Sequence, residues 1–282
     1  MAGKLYLCAT PIGNLEDITL RTLRILKEAD LIAAEDTRNS LRLCNHFEIK
    51  TPLTSYHEHN KIEKAYQLVE QMKQGVNVAL VTDAGTPAIS DPGEELARIC
   101  YEAGIEVISL PGAVACITAL TSSGQKTRRF SFEAFLPRDK KERKEVLKEM
   151  ERDTRTIILY ESPHHLHATL KELYEALGNR EITICRELTK KFEEKDRTTL
   201  GQAVTDYGKK EIRGEFVLVI QGKDRSEILE AEKKAWDSIS IDEHLQLYLS
   251  QGLDRKSAMK AVAKDRGVSK RDIYASLLAS EN

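Results

Sequence analysis

Two carboxylates stand side by side at Glu35 and Asp36, directly after the apolar run Leu31–Ala34. Adjacent carboxylates raise each other's pKa, and a carboxylate within hydrogen-bond reach of a reacting hydroxyl can accept its proton. The same residues also suit a structural role, in which Asp36 caps the following helix and Arg38 offsets its charge. The spacing alone leaves the catalytic base and the helix cap equally open.

Three loops rich in glycine and proline form the second candidate site: ATPIGN at 9–14, TDAGTPAISDPG at 82–93 and LPGA at 110–113. Gly13, Gly85 and Gly112 lack a Cβ, so their backbone can approach a ligand closely. Neither a GxGxxG fingerprint nor a GxxxxGK[ST] phosphate loop is present, which speaks against a dinucleotide or a nucleoside triphosphate. One such loop is usually only a turn, whereas three at one sheet edge favour a ligand pocket.

The histidines do not form a recognisable metal site. His57 and His59 lie in SYHEHN, and three more lie in SPHHLH at 162–167. The second spacing spreads the rings around a helix, whereas two ligands on one helix face need a separation of four. We therefore expect no bound metal.

The elements that must position these residues follow from the hydrophobic pattern. Within 1–120, short apolar runs alternate with amphipathic stretches, which predicts a parallel α/β sheet. The predicted strands are 4–9, 31–34, 76–82 and 105–110, and the predicted helices are 19–30, 39–47, 61–74, 93–104 and one after Pro111-Gly112. Ligands of such sheets bind beyond the carboxyl ends of the strands, where the carboxylates and the three loops fall.

Two further parts follow the first. The polar segment 121–129 predicts a boundary, which gives domains at 1–120, 121–225 and 226–282. The second part mixes strands at RFSFEAF, RTIILYE, EITICRE and GEFVLVIQG with a charged helix after Pro137 and a helix over 164–177, which is an α+β pattern. The third part is wholly helical, with helices predicted at 227–236, 241–250, 255–265 and 269–280. Its Gly-containing turns predict a helix-turn-helix unit.

Composition sets the outer bounds. The 282 residues are 41% hydrophobic and 31% charged with a formal net charge of −2, which is typical of a globular chain of about two domains. No run reaches the ~18 apolar residues of a membrane span, and no signal peptide is recognisable. The five cysteines form no CxxC pair, so we expect a reduced, cytoplasmic protein. Residues 251–275 carry seven basic and three acidic side chains, which suits either a phosphate-binding surface or solvated helix faces.

Taken together, these segments resemble a known family. TPIGNLEDITLRTLRILKEADLIAAEDTR, SYHEHN, LVTDAGTPAISDPG and LPGA, followed by FLPR, LYESPHHL, CRELTKKFEE and GEFVLVIQG, resemble the bacterial ribosomal RNA small subunit methyltransferases I of the tetrapyrrole methylase superfamily. The likeness runs from Leu5 to about Gly222, and the helical tail resembles the family's C-terminal helix-turn-helix. One departure is Ala113-Val114, where many members carry Pro-Ser; it puts a hydroxyl contact at 114 in doubt.

The resemblance implies a two-domain class III methyltransferase fold that binds S-adenosylmethionine between its domains, with a helical appendage. It implies 2′-O-methylation of a cytidine ribose in the decoding region of 16S rRNA, within the 30S subunit, by a homodimer that needs neither membrane, DNA nor metal. The cofactor residues it implies are Pro11, Gly13, Asp83, Ala84, Gly85, Thr86, Pro87, Ile89, Ser90, Pro111, Gly112, Ala113, Ala115, Tyr160 and Glu161.

Within that reaction, the residues divide into three roles. Glu35 is our expected base, Asp36 its structural neighbour and Arg38 a phosphate ligand, with Asn14 as a second catalytic candidate. The expected RNA contacts are Arg21, Arg42, Lys256, Lys260, Lys264, Lys270 and Arg271. Low aromatic content, 6%, favours recognition of RNA by shape and phosphate contacts over base stacking.

Three alternatives stay open. The first is a methyltransferase of the same superfamily that acts on a tetrapyrrole ring, against which the EDTR segment and the tail speak. The second is a ligand-sensing regulator whose helix-turn-helix binds duplex DNA, which salt-dependent, sequence-selective DNA binding would reveal. The third is a ligand-binding scaffold without catalysis.

Overall fold

The computed structural model describes residues 1–236 and 238–280. The chain divides into two compact units. The first unit comprises residues 1–150 and 155–221, and the second comprises residues 151–154 and the chain from Gly222 onward. No helix in the described ranges is long and apolar enough to cross a membrane.

The first sheet is wholly parallel, as the alternating pattern predicts. Its strands are β1 (Lys4–Leu7), β2 (Leu31–Ala34), β3 (Leu53–Ser55), β4 (Val78–Val81) and β5 (Glu106–Ser109), in the order β3-β2-β4-β1-β5. All four residues of the central strand β4 are buried, because helices cover both faces of the sheet. The edge strand β3 is absent from the sequence prediction, since three residues carry too short a pattern.

Four helices cover this sheet: α1 (Leu20–Glu28), α2 (Thr37–His46), α3 (Lys61–Lys73) and α4 (Gly93–Glu102). A fifth helix, α5 (Ala115–Ser122), follows β5. A short 3-10 helix at Leu15–Asp17 precedes α1. Alternate strand residues enter two separate cores. Val78 and Leu80 pack with residues of α3 and α4, whereas Ala79 and Val81 pack with residues of α1 and α2. Strand periodicity thereby fixes which helix lies on which face.

The second sheet is mixed. Its strands are β6 (Phe130–Phe132), β7 (Thr156–Glu161), β8 (Glu181–Arg186), β9 (Glu194–Thr199) and β10 (Phe216–Ile220), in the order β6-β7-β10-β8-β9. Only the β6–β7 pair is parallel; the other three pairs are antiparallel. The polar edge strand β9, EKDRTT, is absent from the sequence prediction because it lacks a hydrophobic pattern.

Two layers cover the second sheet. Helices α6 (Lys140–Arg152), α7 (Leu166–Leu177) and α8 (Leu200–Tyr207) share one core with it, and α5 packs against the opposite face. On that face Cys116, Ala119 and Leu120 of α5 meet Ile158 and Val219 of the sheet. Helix α5 follows the last strand of the first sheet, so the second sheet is packed against a segment that begins at the ligand-binding edge of the first.

Over its described residues the second unit forms four helices, as the sequence predicts: α9 (Arg225–Trp236), α10 (Ile241–Ser250), α11 (Arg255–Arg266) and α12 (Lys270–Ser280). Ser240 and Glu243 form a capping box that starts α10, and Ser269 accepts a hydrogen bond from the Asp272 amide at the start of α12. The core of this unit contains Leu245, Val262 and Ile273.

Candidate active site

A cavity of about 300 Å³ opens between the loops of the first sheet and the residues of β7 and β10. Its lining residues are Ile12, Ala84, Gly85, Thr86, Ile89, Val114, Ala115, Phe135, Tyr160, Glu161, Ser162, Pro163, Leu188, Glu215, Phe216 and Val217. We call it the cofactor cavity. Of the residues predicted for cofactor binding, it brings together Ala84, Gly85, Thr86, Ile89, Ala115, Tyr160 and Glu161.

The three predicted loops are hydrogen-bonded to one another. Thr10 and Gly85 exchange two backbone hydrogen bonds of 2.9 and 3.1 Å, which join the first loop to the second. The Thr86 hydroxyl donates to the carbonyl of Ala113 at 2.9 Å, which joins the second loop to the third. The floor of the cavity is therefore a connected network rather than three independent turns.

Unusual backbone conformations cluster around this cavity. Ala88, Ser90, Ala134, Glu187 and Thr189 have φ between 50° and 69°, a region that few residues with a Cβ occupy. Thr189 is the most constrained of them because it is β-branched. Strained backbone persists where surrounding structure enforces it and is concentrated at functional sites.

One carboxylate enforces part of that strain. The Asp91 side chain accepts hydrogen bonds from the amides of Ala88, Ile89 and Gly93 at 2.7–3.2 Å. It thereby holds the turn that presents Ile89 to the cofactor cavity. Its bond to the Gly93 amide also ties this turn to the first residue of α4.

The second sheet contributes an aromatic wall. The rings of Phe132 and Phe135 meet Tyr160 edge-to-face, with centroids 4.9 and 5.7 Å apart. The Tyr160 hydroxyl oxygen accepts a hydrogen bond from the amide of Cys116 at 3.2 Å. Burial raises the pKa of the Tyr160 phenol, so it remains neutral at physiological pH.

Glu161 is the one acidic side chain buried in this wall. Its Oε1 accepts a hydrogen bond from the Ser162 amide at 2.7 Å, and its Oε2 accepts one from the Thr169 hydroxyl at 2.6 Å. Arg143 donates to that hydroxyl at 2.9 Å and is paired with Glu172. No cation in the described ranges contacts Glu161 directly, although buried carboxylates are normally paired.

The acidic pair after β2 adopts the predicted division. Asp36 is the N-cap of α2: its carboxylate accepts from the Arg38 amide at 2.8 Å and pairs with the Arg38 guanidinium at 2.7 Å. The hydrogen bond from Arg38 lowers the pKa of Asp36 to about 2. Glu35 is half-buried and its Oε2 accepts from the Thr82 hydroxyl at 2.9 Å. The helix begins two residues earlier than predicted because Asp36 caps it there.

Asn14 also occupies a structural position. Its side chain caps the short 3-10 helix by accepting from the Glu16 amide at 3.1 Å. Neither Asn14 nor Glu35 lines the cofactor cavity.

A second cavity of about 360 Å³ lies on the other side of the first loop. Its lining includes three residues that were predicted to bind the cofactor, Pro11, Gly13 and Asp83, and one that was predicted to bind RNA, Arg42. Asp83 accepts hydrogen bonds from the Asp36 amide and from the Asn39 side chain, so it ties the second loop to the start of α2.

The remaining predicted residues lie outside both cavities. Gly112 and Ala113 line a third pocket with Thr189, and Pro87, Ser90 and Pro111 line neither cavity. Arg21 is exposed on α1.

Two of the loop glycines are explained by chain packing. A Cβ on Gly13 would lie 2.4 Å from the Lys190 side chain, and one on Gly112 would lie 2.3 Å from the Cβ of Ala9. Their missing side chains make room for neighbouring protein atoms, whatever else their backbone contacts. Gly85 differs, because its φ of +87° is a conformation that residues with a Cβ rarely adopt.

The sequence analysis assigned no role to several residues of the cofactor cavity, which are Ile12, Val114, Phe135, Ser162, Pro163, Leu188, Glu215, Phe216 and Val217. Most of them lie in segments that carry the resemblance, such as FLPR and GEFVLVIQG. Their position in those segments was the feature of the sequence that could have identified them as cavity residues. Their side-chain types are those of ordinary core residues, so chemistry could not single them out.

In the second unit, the predicted RNA-contacting side chains are exposed. Lys256, Lys260 and Lys264 follow one another at intervals of four along α11, which places them on one face. Lys270 and Arg271 are exposed at the start of α12.

A buried histidine lies in the core of the same unit. The ring of His244 stacks on Trp236 with centroids 3.8 Å apart, and its Nδ1 accepts from Arg266 at 3.3 Å. Its Nε2 lies 3.4 Å from Asp265 without forming a well-directed hydrogen bond. Burial, reinforced by Arg266, lowers the pKa of His244.

No group of three potential metal-ligating side chains is assembled within the described ranges. All five cysteines are buried and free, and burial raises the pKa of the Cys8 thiol to about 12. These thiols are therefore protonated at physiological pH and packed as apolar groups.

Comparison with known proteins shows the family to which this chain is similar. The model of the tetrapyrrole (corrin/porphyrin) methylases matches residues 4–204. The chain is 52% identical over 272 residues to the ribosomal RNA small subunit methyltransferase I of Halalkalibacterium halodurans, covering 96% of this chain and 93% of that protein. It is 44% identical to the protein of the same name from Thermotoga maritima, whose full length matches only 79% of this chain.

A solved structure shares the fold at low sequence identity. Uroporphyrin-III C-methyltransferase from Thermus thermophilus, crystallised with S-adenosylhomocysteine, superposes with a TM-score of 0.56 at 19% identity, covering 78% of this chain and 97% of that one. The predicted tetrapyrrole methylase fold is confirmed by this likeness and by the family match.

Proposed function

This chain belongs to the tetrapyrrole methylase family and, within it, to the ribosomal RNA small subunit methyltransferases I, and on that premise we propose a specific reaction. The enzyme transfers the methyl group of S-adenosylmethionine to the 2′-hydroxyl of a cytidine ribose in the decoding region of 16S rRNA. It does so on the 30S subunit, in the cytoplasm and as a homodimer.

The observation that best supports the proposal is the composition of the cofactor cavity. Seven residues implied by the family, drawn from the second loop, the start of α5 and the end of β7, line one cavity. The cavity residues also fit the cofactor chemically. S-Adenosylmethionine combines apolar surface with two cationic groups. The cavity combines apolar side chains such as Ile89 and Leu188 with the carboxylate of Glu161, which no cation among the described residues contacts.

When bound, the cofactor supplies an activated methyl group on a sulfonium. The chain must then align the acceptor hydroxyl and take its proton. We assign the role of proton acceptor to Glu35, which follows β2. Its half-buried carboxylate accepts a hydrogen bond from the hydroxyl of Thr82, which follows β4. Arg38 holds an RNA phosphate near it, and Asp36 fixes Arg38 and the start of α2.

The helical tail docks the RNA in this proposal. Lys256, Lys260 and Lys264 contact phosphates through their common face, together with Lys270 and Arg271. Docking of this kind raises affinity and leaves the rate on saturating substrate unchanged. The shorter Thermotoga maritima relative, which matches only 79% of this chain, is consistent with an accessory role for part of the sequence.

The reaction is tested with labelled S-adenosylmethionine and 30S subunits from a strain that lacks the enzyme, followed by mapping of the methylated nucleotide. We expect a single 2′-O-methylcytidine in the decoding region. Transfer to a tetrapyrrole with no transfer to 30S subunits would instead support the small-molecule alternative.

The docking role is tested with the triple variant K256Q/K260Q/K264Q. Its binding to 30S subunits should weaken, and the slope of log affinity against log salt should fall by about 2–3. Lys140, Lys144 and Lys148 repeat the same spacing on exposed positions of α6, so K140Q/K144Q/K148Q is a matched control. An equal loss in both triple variants would contradict docking by the tail.

A further inference from the structure

The second cavity has a different chemical character from the cofactor cavity. Ser40, Thr10 and Thr82 form its polar floor, all less than 9% exposed, and Leu15 and Leu43 form apolar walls. Arg42 and His46, one helical turn apart on α2, stand on one side of it.

Ser40 and Arg42 offer uncommitted polar groups to this cavity. Ser40 is 6% exposed and lines the cavity, and no hydrogen bond of its hydroxyl is formed within the described ranges. That hydroxyl can therefore donate to, or accept from, a ligand in the cavity. Arg42 also makes no ion pair in the described part of the chain, so its guanidinium is available to an anion.

The two ends of the cavity have opposite polarity. Arg42 and His46 offer donors to an anionic group, whereas the Asp83 carboxylate and the floor oxygens of Thr10 and Thr82 offer acceptors to hydroxyl or amino groups. A nucleotide unit has this distribution, with a phosphate at one end and ribose hydroxyls or base amino groups at the other. The Leu15 and Leu43 walls suit the apolar faces of the sugar and the base.

A backbone wall separates this cavity from the cofactor. Pro11 and Gly13 line the second cavity, whereas Ile12 between them lines the cofactor cavity. The wall is closed by the paired hydrogen bonds between Thr10 and Gly85. A methyl acceptor must come within about 3 Å of the donor, so a ribose lying deep in the second cavity cannot be the one that is methylated.

We propose that the second cavity is a nucleotide subsite, which binds an RNA nucleotide flanking the methylated one, with its phosphate on Arg42 and its hydroxyl or amino groups on Ser40 and Asp83. The proposal rests on the rRNA substrate of the proposed function. It reassigns Pro11, Gly13 and Asp83 from the cofactor to the RNA. The Thr82 hydroxyl in the floor of the second cavity donates to Glu35, so the expected base lies next to this subsite.

The test uses R42Q and S40A in the full-length chain, with R24Q as the control. Arg24 is an exposed arginine on α1 whose surface pair with Glu28 contributes little. Binding to 30S subunits is measured over a range of salt, and binding of S-adenosylhomocysteine is measured by calorimetry. We expect R42Q to weaken 30S binding about tenfold and S40A about threefold, with R24Q unchanged. Affinity for S-adenosylhomocysteine should be the same in all three.

Two results would overturn the subsite. Wild-type 30S affinity in both R42Q and S40A would mean that no nucleotide contacts the cavity. Weaker S-adenosylhomocysteine binding in S40A or R42Q would mean that the cavity belongs to the cofactor. Failure of the proposed function itself is distinguishable, because the wild-type chain would then neither bind nor methylate 30S subunits.

Discussion

The two sheets of the first unit contribute to the candidate site in different ways. The parallel sheet presents loops at one edge, and their backbone groups and short side chains form the floor of the cofactor cavity. The mixed sheet presents strand residues, among them Tyr160, Glu161 and Val217, which form a wall. In a parallel sheet, topology places the ligand site beyond the carboxyl ends of the strands. An antiparallel sheet has no corresponding fixed position.

The largest effect that would sharpen this comparison lies at the edge of the parallel sheet. E35Q keeps the shape of the side chain but cannot accept the ribose proton. We expect single-turnover methylation to slow by about 10²–10⁴-fold, with unchanged affinity for cofactor and for 30S subunits. A wild-type rate in E35Q between about pH 6 and about pH 9 would show that the proton goes elsewhere.

The second effect tests the floor of the cavity. In G85V a Cβ would lie 3.3 Å from Ile12 and 3.5 Å from the carbonyl of Ala113, at a φ of +87°. We expect about 1–3 kcal/mol of lost stability from the backbone conformation, together with loss of detectable cofactor binding because Ile12 is displaced. Calorimetry with S-adenosylhomocysteine measures the binding.

The control for that variant is G104V. Gly104 has a φ of +71°, but its Cβ would meet nothing within 4 Å, and it ends α4 away from the cofactor cavity. It should therefore lose comparable stability and keep cofactor affinity. Wild-type affinity in folded G85V would remove Gly85 from the site.

The third effect tests the wall. Thr169 is buried between Arg143 and Glu161, and T169V removes the hydroxyl that links them at nearly constant volume. We expect Glu161 to lose its orientation and cofactor affinity to fall about tenfold, with a stability loss of about 1–3 kcal/mol.

T169S restores the hydroxyl and should recover most of the affinity. If T169V loses stability but binds S-adenosylhomocysteine as tightly as the wild type, Glu161 is a structural carboxylate. The wall would then be purely apolar, and the difference between the two sheets would be greater.

The same difference explains what the sequence could predict. The order of strands and helices in 1–120 followed from apolar periodicity, and the edge rule then placed the loops around Gly85 and Thr86 in one site. The division of the loops between two cavities did not follow. It depends on how Pro11, Ile12 and Gly13 alternate between the two cavities within one loop, which periodicity cannot assign without knowing what lies on each side.

The wall was less accessible to sequence reasoning for a physical reason. Phe135, Leu188 and Val217 have side chains typical of any core, and their distance from the parallel sheet in the sequence hides their proximity in the fold. In the second unit, helix boundaries agreed within two residues because caps such as Ser240 and Ser269 mark them. The stacking of His244 on Trp236 depends on tertiary packing and left no comparable signal.

The smallest expected effect separates the two carboxylates at the edge of the parallel sheet. D36N can retain the cap bond to the Arg38 amide but loses the ion pair with the guanidinium. Because Arg38 is 87% exposed, that pair contributes little, and we expect the melting temperature of D36N to fall by no more than about 2–4 °C. Methylation should proceed near the wild-type rate, in contrast to E35Q.

The difference in melting temperature between wild type and D36N should depend on pH. Arg38 lowers the pKa of Asp36 from its ordinary value of 3.8 to about 2, so folding favours the ionised form. The stabilisation is complete above pH 3.8 and is lost as the pH falls towards 2. The melting temperatures of wild type and D36N should therefore converge below about pH 4 and differ at neutral pH. D17N, which changes an exposed carboxylate with no side-chain hydrogen bond in the described ranges, should show no such convergence. A gap that stays constant down to pH 2 would mean that Arg38 does not stabilise the ionised Asp36.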